Sequence, residues 1–165
     1  MEAGSGLADL DQILRTKNCN EFGLTRLYAN LFRKLGIEHQ LVLTNDRSST
    51  PFDPEFEAHL YLNSVLFYFP AIKKYLEPSA THLGLGYPTA ELLATYGLFI
   101  RNVEVGGVFA GVGSIKPIPA LPAEATRHDL VIDVSFDDEI SEARIKLKNE
   151  LSGYYAGFRR TTTPC

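Results

Sequence analysis

An α+β fold, with one amphipathic helix laid on a mostly antiparallel sheet, is what this sequence predicts, on three observations. Apolar residues recur at helical spacing from Leu24 to Leu35. Short runs of strand composition fall near 39–44, 58–62, 65–69 and 98–105, divided by segments rich in Asn, Gly and Pro. A chain of 165 residues can bury one core, or one core with a small appended unit, so one principal domain is expected.

Leu24, Leu27, Tyr28, Leu31, Phe32 and Leu35 follow an i, i+3, i+4, i+7 pattern, with Arg26, Asn30, Arg33 and Lys34 opposite. Asn18 or Asn20 caps the start of this helix, and Glu21 suits the positive end of its dipole. Arg33 and Lys34 suit the other end, and Gly36 supplies a left-handed stop. His39 to Thr44 reads as a strand, and the two prolines of NDRSSTPFDPEFE preclude regular pairing after it. Ala58 to Leu62 and Val65 to Phe69, parted by Asn63-Ser64, read as a hairpin. Tyr75 to Glu77 starts a further short strand that Pro78 ends. A short helix near Glu91 to Tyr96 and a strand at Leu98 to Val105 follow.

Beyond Val105 a Gly-rich stretch, GGVFAGVGS, leads into a Pro-rich one, KPIPALPAE, which marks a candidate boundary. The reading is therefore a core over 1–105 and a β-rich C-terminal extension over 106–165, the less stable part. Within the extension, Leu130, Ile132, Val134 and Phe136 alternate as one face of a strand. ARIKLKNELSGYYAGFRR gives another strand running into a helix or turn at Gly153.

Composition excludes several classes. Sixteen basic residues against twenty acidic give a net charge of −4, with the basic residues scattered, which argues against a nucleic-acid partner. No apolar run approaches the ~20 residues of a membrane-spanning helix. MEAGSGLADLDQ has neither the basic nor the apolar region of a secretory signal. Two cysteines, one of them the terminal Cys165, make no disulfide framework. His39, His59, His82 and His128 are dispersed with no i, i+4 pair, so no metal is expected. The glycines of HLGLGYP and VGGVFAGVG lack the strand, helix and lysine of a nucleotide loop, and no cofactor is expected.

One set of groups carries chemistry. Cys19, at or just before the first turn of the helix, is followed by His59 and then by Glu77 before Pro78. Thiol, imidazole and carboxylate are what acyl transfer through a thiolate requires, and the field of a helix N-terminus favours the thiolate. Each residue also has a plain structural role open to it: Cys19 as packing at the helix start, His59 bonded to a carbonyl, Glu77 as a solvated acid.

With those residues in view, KNCNEFGLTRLYANLFRKLGIEHQLVLT, EAHLYL and YLEPSA resemble the core of the transglutaminase-like superfamily. There a Cys at a helix start, a His on a strand and an Asp followed by Pro on the next strand form a papain-like triad. VSFDDEISEARIKLKNELSGYYAGFRR resembles the β-rich region after such a domain in certain large bacterial exported proteins, which implies an exported or periplasmic parent protein. The resemblance implies a peptide or protein substrate or ligand. Cys19 would attack an amide or peptide carbonyl, His59 would carry the proton, and Glu77 would orient the imidazole. Hydrolysis is expected ahead of cross-linking. The chain departs from the family in having Glu77 in place of Asp, Asn18 before the cysteine, no tryptophan, and no N-terminal β-domain. The alternative reading is thus a degenerate transglutaminase-like domain that serves as a binding or structural module.

Overall fold

The computed structural model describes residues 9–56 and 61–157. The chain divides into two compact units, Met1–Ala120 and Leu121–Cys165. The fold is mixed helix and antiparallel sheet, as the α+β reading expects.

The first unit opens with α1 (Leu10–Thr16), for which the sequence reading made no provision. Its signals are local. Asp9 caps it by accepting from the Gln12 amide at 2.9 Å, and Ile13 is its buried residue. The amphipathic helix is α2 (Glu21–Lys34), starting three residues before the periodic run. Asn20, rather than Asn18, is the cap and accepts from the Gly23 amide at 2.8 Å. At the other end Gly36 takes φ +67°, the Gly36 amide reaches the Arg33 carbonyl at 3.1 Å, and the Ile37 amide reaches Phe32 at 2.8 Å. This doubly bonded stop satisfies carbonyls that the helix end leaves open.

Five strands form the sheet: β1 (Gln40–Thr44), β2 (Ser64–Phe69), β3 (Lys74–Leu76), β4 (Thr95–Val105) and β5 (Val108–Ile118), in the order β3-β2-β1-β4-β5. All neighbours are antiparallel. Leu41, Phe67 and Leu76 share a row and pack under α2. There Phe32 stands edge-on to Phe67 and Phe69, with ring centres 5.3 and 5.1 Å apart. His39 closes the end of this cluster, its Nδ1 2.9 Å from the Ile37 carbonyl oxygen. On the other face Val42 pairs with Leu66 and Phe99, all three buried.

Two expectations change here. Of the hairpin expected from 58–62 and 65–69, Ala58 to Leu60 lie outside the described residues, and Tyr61 and Leu62 are not strand. β2 pairs with β1 and β3 instead. β2 lies inside the sheet with a neighbour on each side, and Asn63 is occupied otherwise, its amide donating to the Asn45 side chain at 3.0 Å. The helix expected over Glu91 to Tyr96 is a single 3-10 turn, Ala90–Leu92, because β4 begins at Thr95.

The Gly-rich stretch is not a boundary. Gly106 and Gly107 (φ +61° and +82°) form the two-residue turn between β4 and β5, where both central residues must take positive φ. β5 then pairs with β4 along its whole length. Pro117 is tolerated because β5 is an edge strand. The division falls instead between Ala120 and Leu121.

Tyr75 on β3 lies against Tyr68, with ring centres 4.9 Å apart, and is 8% exposed. Burial, with a smaller contribution from Tyr68, pushes its phenol up to about 12. The folded state thus favours the neutral phenol, so its contribution to stability is complete below ~10 and is lost as pH rises from there through about 12. Ultraviolet titration of the phenolates should show one tyrosine ionising in that upper range, and Tyr75→Phe should remove it.

The second unit contains β6 (His128–Phe136) and β7 (Ala143–Leu151), an antiparallel pair with His128 opposite Leu151 and Phe136 opposite Ala143. Asp137 holds its turn. The carboxylate accepts from the Ser141 hydroxyl and from the amides of Ser141 and Glu142, and these bonds, the hydroxyl first, keep it below the usual carboxylate range. The base is closed by the Ser152 amide on the Arg127 carbonyl at 2.9 Å.

Candidate functional site

Cys19 immediately precedes the Asn20 cap of α2, so it stands just outside the helix rather than in its first turn. The thiol is free and half-buried. At the start of α2 the Gly23 amide donates to the Asn20 side chain, and the Leu24 amide makes the first regular helical bond, to the Asn20 carbonyl at 2.9 Å.

Glu77 follows the last residue of β3 and is half-buried. Its Oε2 accepts from the Thr89 amide at 2.7 Å and its Oε1 from the Ser79 hydroxyl at 3.3 Å. A bond from an amide to a carboxylate at this length is a strong one. The Gly86 amide meanwhile donates to the Tyr75 carbonyl at 2.7 Å. Glu77 and Tyr75 thus pin the 77–89 loop back along β3, at the edge of the sheet, where an unpaired strand would otherwise stand open. The sequence names Glu77, but its partner Thr89 lies twelve residues on, in a stretch that carries no periodic signal.

His59 lies outside the described residues. The strand that pairs with β3 is β2, which begins at Ser64 and reads SVLFYF. Tyr61, just after His59, is held by Asp53: the Asp53 amide donates to its hydroxyl at 3.1 Å, and its ring meets Phe52 and Phe56.

Asn45 was no sequence candidate, standing in a segment that reads as polar loop. It is 1% exposed at the end of β1, and while its Oδ1 takes the Asn63 amide, its Nδ2 has no partner among the described residues. Next to it Thr44 donates its hydroxyl to the Tyr96 carbonyl at 2.8 Å. These polar bonds join the ends of β1, β2 and β4, and buried amides of this kind fix which strand ends meet. Among the described residues no group of three or more His, Cys, Asp or Glu is placed to hold a metal ion. No described helix is long and apolar enough to cross a membrane.

No family model, curated protein or solved structure matches the chain.

Proposed function

We propose that the first unit is a transglutaminase-like domain that does not carry out thiol acyl transfer and serves as a binding or structural module for a peptide or protein partner. The observation that carries this reading is the strand beside Glu77. The family pattern calls for a histidine on the strand that pairs with the acid-bearing strand, and that neighbour, β2, has none. Two further features support the reading. Among the described residues Glu77 accepts from the Thr89 amide and the Ser79 hydroxyl, bonds that tie it to its own loop. Cys19 lies ahead of the Asn20 cap, outside the first turn of the helix.

A second reading, in which Cys19, His59 and Glu77 transfer an acyl group from an amide to water, is favoured by one observation. The thiol is free, half-buried and at the mouth of a well-capped helix. Turnover separates the two. The whole chain is incubated with a fluorogenic peptide amide, and separately with a glutamine peptide and a fluorescent amine. The module reading predicts release and incorporation no greater than those of Cys19→Ala. Activity above that level, lost in both Cys19→Ala and His59→Ala, would establish the catalytic reading instead.

A further inference from the structure

We propose that the β6–β7 hairpin is a dimerisation ribbon, through which two copies of this chain stack face to face. The pairing register sorts its side chains. Leu130, Ile132, Val134 and Phe136 lie on one face with Ile145 and Leu147, and each of the six is 49 to 63% exposed. The opposite face carries Asp129 across from Glu150, Asp133 across from Lys146 and Ser135 across from Arg144. An antiparallel pair with one apolar and one charged face is the pattern of a sheet packed on one side and solvated on the other. Two strands alone are marginal in water, so this face needs a covering layer.

The identity of that layer follows from the shape and area of the face. Consider a two-fold axis parallel to the strands, which lays β6 of one copy over β7 of the other and sets each cross-strand row on its own counterpart. Phe136, the largest side chain of the face, then meets Ala143 of the second copy, the smallest. Leu130 meets Asn149, while Ile132 and Val134 meet Leu147 and Ile145 of the second copy. Large on small at one end and four aliphatic side chains at the centre make the face complementary to itself, as a two-fold contact requires. The six side chains, at on the order of 100 Å² each, give about 1,200 Å² for the pair, the lower edge of the range for specific association. Joining edge to edge at β6 about a two-fold at Val131 would instead set Asp129 against Asp133 of the second copy, a like-charge pair on each side of the axis.

Light scattering on the full chain across a concentration series tests this. The expected result is an apparent mass that rises to twice that of the chain. Ile132→Asp should return it to the monomer value, whereas Val131→Asp, on the charged face of the same strand, should leave it doubled. Far-ultraviolet circular dichroism should match for the full chain and Val131→Asp, while Ile132→Asp, its hairpin uncovered, should lose no more than the strand signal of β6 and β7. A monomer at every concentration would overturn the proposal, as would a dimer that Ile132→Asp leaves intact.

Discussion

Replacing Phe67 by alanine is expected to bring the first unit to the edge of unfolding. Phe67 is fully buried at the centre of β2, edge-on to Phe32 and with its ring centre 5.6 Å from that of His39. It is the residue on which α2, β1 and β3 converge. Removing a buried phenyl ring costs about 3–5 kcal/mol, transfer and cavity together. A domain has a total stability of only ~5–15 kcal/mol. Urea unfolding should show the midpoint falling sharply with the slope unchanged, since the surface exposed on unfolding hardly alters. Phe67→Leu, which keeps most of the volume, should cost no more than about 1.5 kcal/mol.

Gly153→Ala should collapse the second unit and leave the first intact. Gly153 takes φ +60°, and a Cβ there would press on the Ala125 carbonyl oxygen and stand 2.6 Å from Thr126 Oγ1 and 2.9 Å from Thr126 Cα. The obstacle is mostly backbone, and it cannot step aside because Ser152 and Arg127 are bonded at the same point. Left-handed strain with a backbone clash makes a loss of about 3 kcal/mol the expected scale. A hairpin with both strands exposed has little to set against it. Hydrogen exchange should lose the protection of β6 and β7 amides while β1, β2 and β4 keep theirs.

The sequence made α2 readable because everything that specifies it is local. The apolar stripe of Tyr28 and Phe32, the Asn20 cap and the Gly36 stop all fall within one short stretch. β1 and β6 were readable for the same reason, through composition and alternation. β5 was not, because Gly111, Gly113 and Pro117 give it the composition of a linker. Its strand character comes from pairing with β4 across the Gly106-Gly107 turn, the feature that could have revealed it. Just before β2 the case is the opposite: Tyr61 and Leu62 have strand propensity, yet neither is strand and Tyr61 is held by Asp53.

For the site, residue type and order pointed to Cys19 and Glu77, but the bonds that Glu77 makes depend on a distant partner. Glu77 is defined by Thr89, and the ends of β1 and β2 are joined by Asn45 and Asn63, eighteen residues apart. No local pattern encodes either contact.

The most direct test of the domain as a module without acyl-transfer chemistry is the rate at which iodoacetamide alkylates Cys19 at pH 6, in a Cys165→Ser background, set against a free cysteine thiol in the same buffer. A thiol without an imidazole partner should react no faster than the free thiol, and His59→Ala and Glu77→Gln should leave the rate unchanged. Alkylation much faster than the free thiol, and slowed by His59→Ala, would contradict the account and place Cys19 and His59 in a working pair.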